Sequence, residues 1–116
     1  MKKLSQKTFV LKDPTSGYDK RIISKSFRLP NGMVENFFID ESKDSVQVFA
    51  LTDNQSKVIV VKQFRPGSET DELELPGGGM EQGEDAVEAG KRELKEESGY
   101  EASECILLSS VPYSPY

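Results

Sequence analysis

Glu93, Glu96 and Glu97 crowd three carboxylates into five residues of the segment "RELKEESGY". Like charges this close repel one another and weaken a helix unless a cation neutralises them. The chain has no histidine and a single cysteine, Cys105. That excludes Ser-His and Cys-His triads and every zinc site built on imidazole or paired thiolates. A metal held here must sit on oxygen ligands, which points to a hard divalent cation, Mg²⁺ or Mn²⁺. The competing explanation is a solvated helix face, the usual meaning of a charge run. Such a face has no need of small neighbours, yet Ala86, Ala89 and Gly90 stand just upstream, and a ligand needs that room.

Only a helix brings these carboxylates together. From Asp85 to Ser98 the residues are good helix formers interrupted by Gly90 alone, and Gly99 is placed as a C-cap. At about 100° per residue, with Glu93 as zero, Glu96 falls near about −60° and Glu97 near about +40°. Ala86, Ala89 and Gly90 fall between about −40° and +60°, and Val87 and Leu94 between about 100° and 120°. Glu93 and Glu97 therefore share a face with the smallest residues, beside the apolar stripe. Glu88 and Arg92 read as a surface i,i+4 pair. Upstream, Gly77-Gly78-Gly79 follows the short strand "LELP" (73–76) and reads as a sharp loop whose carbonyls approach a metal or phosphate. It is neither a P-loop, since no Gly-Lys-Ser/Thr follows, nor a dinucleotide fingerprint, whose spacing is absent.

The rest of the chain reads as strands and turns: 7–13, 21–29, 33–40, 44–51 and 57–64 before the polar loop 65–72, and 105–111 after the helix. Pro30-Asn31-Gly32 and "TDNQS" are hairpin signals. Val58 to Val61 are β-branched in succession, as in a strand covered on both faces. The order, β-rich, then one helix, then β, predicts an α/β or α+β sandwich with a mixed sheet. The length of 116 residues suits one compact domain. With 35% hydrophobic and 30% charged residues the chain reads as soluble and globular. It lacks any run of about 18 apolar residues, which excludes a membrane span. "MKKLSQKTFV" reads as an ordinary N-terminus, not a signal peptide. The lone Cys105 forbids an intrachain disulfide, predicts a cytoplasmic home, and within "ECILLSS" reads as a buried inert thiol. A net charge of −5 with only short basic groups argues against a nucleic-acid partner. An acidic protein still accepts an anionic substrate when a divalent cation stands between them.

The glycines and the helix together carry a family pattern. Gly78, five residues, Glu84, seven residues, then Arg92-Glu93-Leu94-Lys95-Glu96-Glu97-Ser98-Gly99-Tyr100 resembles the Nudix box at every fixed position but the last. Tyr100 stands where an aliphatic residue is usual, a change that bears on packing more than chemistry. The box covers 23 residues, and the flanks extend the likeness. Gln63-Phe64-Arg65, an acidic loop and Glu74-Leu75-Pro76 are similar to the branch that cleaves ADP-ribose and other nucleoside diphosphate sugars. The final "YSPY" is similar to a Ser-Pro-Gly loop, with Tyr116 where glycine is expected.

The resemblance implies a Nudix-type α/β/α sandwich with a mixed sheet and N-terminal antiparallel strands. Residues 1–43 would form a β-strand region used in dimerisation, and 44–116 a Nudix domain. It implies that Glu93, Glu96 and Glu97 bind Mg²⁺ (Mn²⁺ as the alternative) with the carbonyl of Gly77, that of Gly78 being a candidate further ligand. Arg92 would orient the glutamates and Glu84 would brace the turn into the helix, with Gly78 and Gly99 structural. Gln63 and Arg65 would contact substrate, Arg65 through the diphosphate. Phe9, Phe27, Phe37 and Phe38 could stack on a base, but core or interface packing is the commoner role. Family members continue with further strands, a second helix and a loop glutamate that serves as general base. The chain is therefore expected to be C-terminally incomplete or completed by a partner, to form a homodimer, and to hydrolyse poorly alone. The implied activity is metal-dependent cleavage of ADP-ribose or a related nucleotide sugar. Cleavage of another nucleoside di- or triphosphate derivative is the alternative, disfavoured by the Gln-Phe-Arg and Glu-Leu-Pro flanks for triphosphates. A non-catalytic nucleotide-binding module is the competing class. A calcium-binding structural helix lacks the Asp-rich loop such sites favour.

Overall fold

A computed structural model describes residues 1–112, and the expected "YSPY" feature lies outside them. Two compact units divide the chain, Met1–Ser42 and Lys43–Val111. The first is an antiparallel sheet in the order β1 (Lys2–Lys12), β2 (Asp19–Arg28), β3 (Val34–Asp40). β1 starts five residues ahead of the expected 7–13 because it pairs along the whole of β2, from Lys2 opposite Arg28 to Lys12 opposite Asp19. The β1–β2 turn is tied by Asp13, whose carboxylate accepts from the Thr15 N–H at 2.9 Å and the Ser16 hydroxyl at 2.6 Å. Pro30-Asn31-Gly32 makes the second hairpin turn as expected, with the Leu29 N–H donating to the Met33 carbonyl at 2.8 Å. Alternation puts Phe27 and Phe37 on one face, edge to face at 5.8 Å. Phe9 and Phe38 lie on the other face, 41% and 61% exposed.

The second unit holds β4 (Ser45–Gln47), β5 (Val61–Arg65), β6 (Thr70–Glu74), β7 (Gly77–Gly79) and the helix α1 (Ala86–Ser98). β5 and β6 form an antiparallel hairpin, and β4 pairs antiparallel with β7. The helix begins on a capping box: the Asp85 carboxylate accepts from the Glu88 N–H at 2.8 Å and Glu88 reaches back to the Asp85 N–H at 3.2 Å. Such a box satisfies two donors that the first turn leaves unpaired and stabilises by ~1 kcal/mol. Gly99 ends the helix as expected, at φ 80°, with its N–H donating to the Lys95 carbonyl at 2.9 Å. α1 packs on β4 and β7 through Ala89, Gly90 and Leu94, and Pro76 is fully buried beside them. A Cβ on Gly90 would lie 3.5 Å from Val48 and 3.9 Å from the Cys105 sulfur, so this helix face and the half-buried thiol meet closely.

The α+β class expected from the sequence is what the structure shows. Every strand pair is antiparallel and there is one helix among the described residues, so neither a parallel pair nor a second helical layer is represented there. Several local expectations are overturned. The glycine triplet is not a free loop but a strand. The stretch 44–51 is strand only over Ser45–Gln47, and it pairs with those glycines rather than zipping fully onto 57–64, to which it holds by one bridge, Leu51 to Val58. Val58 and Val60 are 41% and 48% exposed, not covered on both faces, because α1 packs on β4 and β7 instead. Residues 65–72 are not all loop, since β6 begins at Thr70. Residues 105–111 form no strand: they have no ladder partner among the described residues, and Leu108 is 77% exposed. The described helix is too short and polar to cross a membrane.

Candidate functional site

Arg92 is the hub of the second unit. One edge of its guanidinium grips Glu84, Nε to Oε2 at 2.8 Å and Nη2 to Oε1 at 2.9 Å. Nη1 donates to Glu93 at 2.8 Å and to Glu96 at 3.2 Å, while Nη2 also reaches the Gly79 carbonyl at 2.9 Å. A planar fork of five donors meets four separate acceptors here, which a lysine ammonium could not match. The expected Glu88–Arg92 surface pair is absent: Glu88 is spent on the cap and Arg92 turns towards the box carboxylates instead. Glu84 also accepts from the Glu81 N–H at 3.1 Å. Those bonds, Arg92's first, hold its carboxyl down from 4.5 to about 2, and the bonds to Glu84 and then Glu93 raise the guanidinium above its ordinary value.

The three glutamates sit in different surroundings. Glu93 is buried at 8% exposure, facing the strand of glycines, whereas Glu96 and Glu97 are exposed. Glu97 accepts from the Gly77 N–H at 3.1 Å, tying the last turn of α1 to β7. The two adjacent glycines are glycine for different reasons. A Cβ on Gly77 would lie 2.2 Å from the Val46 carbonyl oxygen, so the β4 backbone excludes a side chain. A Cβ on Gly78 would lie 2.6 to 2.8 Å from the Glu93 carboxylate, so Gly78 makes the room in which that carboxylate sits.

A small cavity of about 160 Å³ opens between the β5–β6 hairpin, the β4–β7 pair and the end of α1. Gln63, Arg65, Gly77, Gly78 and Glu97 all border it, and so do Ser45, Gln47 and Glu74. The structure thus gathers the two substrate-side expectations with one helix carboxylate and the glycines, while Arg92, Glu84, Glu93 and Glu96 form the network alongside. Arg65 is held by Glu74, with Nε at 2.5 and 2.9 Å from the two carboxylate oxygens and Nη2 at 2.6 Å from one of them. Sequence reasoning missed Glu74. Its signal is the alternation of β6, which puts residues 70, 72 and 74 on the face of 61, 63 and 65; assigning 65–72 to a loop hid that register.

The donor set fits a hard divalent cation in kind, since Glu93, Glu96 and Glu97 offer only carboxylate oxygens. No group of three carboxylates already converges on one point among the described residues. Glu93 and Glu96 lean on Arg92 and Glu97 on Gly77. Glu96 and Glu97 are exposed side chains at adjacent positions of the last turn of α1.

Comparison with known proteins adds the lineage. The chain is 36% identical over 115 residues to the ADP-ribose pyrophosphatase of Bacillus subtilis (strain 168), covering 99% of this chain and 62% of that protein. It is 34% identical over 114 residues to the methanol dehydrogenase activator of Bacillus methanolicus, covering 98% and 61%. Over 70 residues it is 44% identical to the ADP-sugar pyrophosphatase of Mus musculus, covering 56% of this chain and 32% of that one. The chain therefore spans about three-fifths of the length of the first two relatives. Its fold matches the crystal structure of an ADP compounds hydrolase with a TM-score of 0.72 at 24% identity, over 90% of this chain and 55% of the other. Residues 41–115 match the NUDIX domain, and with the box network in place the chain belongs to the Nudix family.

Proposed function

We propose that this chain carries the diphosphate-cleaving site of an enzyme acting on ADP-ribose or a related nucleoside diphosphate sugar. The observation that supports this best is the cavity where Arg65, Gln63 and Glu97 meet beside the carboxylates knit by Arg92. Relatives named for ADP-ribose and ADP-sugar pyrophosphatase activity favour that substrate class. Nudix hydrolases generally use divalent metals, and Glu93, Glu96 and Glu97, with the Gly77 carbonyl, are the groups proposed to hold one, Mg²⁺ first and Mn²⁺ as the alternative. When bound, such an ion supplies neutralisation of diphosphate charge and acidifies the attacking water.

The chain's own residues do the rest. Arg65 places a planar cation against phosphate oxygens, and Gln63 on the same hairpin face offers an amide donor and acceptor. Arg92 holds the carboxylates of Glu93 and Glu96 in place, and Glu84 locks Arg92 in turn. Hydrolysis adds water across one P–O bond of the diphosphate, so ADP-ribose gives AMP and ribose 5-phosphate. The test is AMP release from ADP-ribose with Mg²⁺ by the full chain and by Glu97→Gln. Turnover by wild type that Glu97→Gln abolishes supports the assignment; equal turnover by both refutes the role of Glu97. A nucleotide-binding module without turnover is the second reading, favoured by the engagement of Glu93 and Glu96 with Arg92. It predicts ADP-ribose-dependent thermal stabilisation with no AMP formed.

A further inference from the structure

The pairing of Arg65 with Glu74 has a definite edge. Arg65 has five N–H groups: one on Nε, two on each Nη. Glu74 takes the side edge, Nε at 2.5 and 2.9 Å and Nη2 at 2.6 Å. No hydrogen bond among the described residues uses Nη1. The end edge, Nη1 with the second hydrogen of Nη2, is a fork of the kind that receives one phosphate through two parallel bonds. Both partners border the same cavity as Glu97 and the glycine strand. Arg65 sits opposite Thr70 in the hairpin register, and Glu74 sits at its far end opposite Val61, so the arginine is drawn back along the hairpin face. The bond to Glu74 and then the nearby charges of Glu74, Glu97 and Glu72 raise the guanidinium above its ordinary value, so it stays charged.

We propose that Glu74 is a positioning residue: by holding the side edge of Arg65 it presents the Nη1/Nη2 edge to one phosphate of a diphosphate in the cavity. The proposal deepens the reading of this cavity as a diphosphate site and rests on it. The contrary arrangement would be a latch, in which Glu74 occupies Arg65 and a phosphate must displace it. The two differ in sign. If Glu74 positions Arg65, the arginine contributes more to binding when Glu74 is present. If Glu74 competes, the arginine contributes more once Glu74 is gone. Simple loss or gain of affinity in a Glu74 variant does not separate them, because removing a carboxylate also relieves repulsion of the anion.

A double-mutant cycle does separate them. Inorganic pyrophosphate binding to the full chain is measured by calorimetry in EDTA for wild type, Arg65→Ala, Glu74→Ala and the double variant. Glu74→Gln replaces Glu74→Ala throughout if the alanine variant does not fold. The expected result is that Arg65→Ala weakens binding roughly tenfold in wild type and no more than about twofold without Glu74. The ¹⁵N-resolved Nε–H signal of Arg65 provides a second readout that a merely structural role would not move. It should persist in the pyrophosphate complex, as Glu74 keeps that edge, and vanish in Glu74→Ala. An equal or larger effect of Arg65→Ala in the absence of Glu74, or loss of the Nε–H signal on pyrophosphate binding, overturns positioning. Wild type that binds no pyrophosphate overturns it as well. Wild type that binds pyrophosphate with the expected coupling, but neither binds nor cleaves ADP-ribose, leaves the positioning role standing and removes the nucleotide-sugar assignment.

Discussion

Replacing Gly78 by alanine should cost activity, and replacing its neighbour Gly77 by alanine should cost the fold. At Gly78 the added methyl would lie 2.6 Å from Glu93 Oε1, 2.7 Å from Cδ and 2.8 Å from Oε2. Ordinary carbon contacts sit near 3.4 Å or beyond, so the carboxylate must retreat by roughly 0.6–0.8 Å. It can do so, because it is the far end of a flexible side chain. The retreat strains its 2.8 Å bond to Arg92 and moves it from its place beside the cavity. Misplacement approaching 1 Å costs up to about 100-fold in rate, so Gly78→Ala should lose roughly 10- to 100-fold in kcat/KM. That loss corresponds to about 1.4–2.7 kcal/mol of transition-state stabilisation. At Gly77 the methyl would lie 2.2 Å from the Val46 carbonyl oxygen, which is backbone and paired in β4. Only separation of the strands relieves that clash, at a cost of about 1–3 kcal/mol or more in stability. The assays are AMP release from ADP-ribose and urea unfolding, run on both variants. Unchanged activity in Gly78→Ala, or a larger loss of stability in Gly78→Ala than in Gly77→Ala, would refute the reasoning.

Arg92→Lys keeps the charge but replaces a planar fork of five donors by a compact ammonium with three, too small to span the acceptors on Glu84, Glu93, Glu96 and Gly79; Tm should fall and AMP release should drop at least about tenfold, and wild-type turnover in Arg92→Lys would show that the fork is dispensable. Glu84 has its carboxyl held down from 4.5 to about 2. Its stabilising contribution is therefore complete above pH 4.5 and is lost as pH falls towards about 2. The Tm difference between wild type and Glu84→Gln should shrink across that window, and a difference that stays constant from pH 5.5 to about 2.5 would contradict the linkage. Asp85→Ala removes the N-cap of α1 and should lower unfolding stability by about 0.5–2 kcal/mol, measured in urea at neutral pH; no change would mean that the cap contributes nothing net.

The sequence by itself determined what is local. Helix formers from Asp85 to Ser98 and Gly99 at the end define α1 within one residue, because helix propensity and C-capping operate over a few neighbouring positions. Helical spacing put Glu93 and Glu97 on one face and Asn31-Gly32 marked a hairpin turn, whereas only the resemblance to the Nudix box joined Arg92 and Glu84 to the three glutamates. Tertiary structure decided the rest. Gly77-Gly78-Gly79 has no side chains to carry an alternating pattern, so nothing local says that it is a strand; Val46 and its neighbours supply the partner from 30 to 34 residues away. Residues 105–111 have the composition of a strand, yet a ladder needs a second strand, and none meets them among the described residues. A helical wheel places Glu93 and Glu97 on one face but is blind to which one a neighbouring strand covers. Packing against Gly78 buries Glu93, and the Gly77 N–H takes Glu97 at the rim. The grip of Glu74 on Arg65 likewise follows from a hairpin register that hydrogen bonding between two strands fixes, beyond the reach of any single-strand pattern.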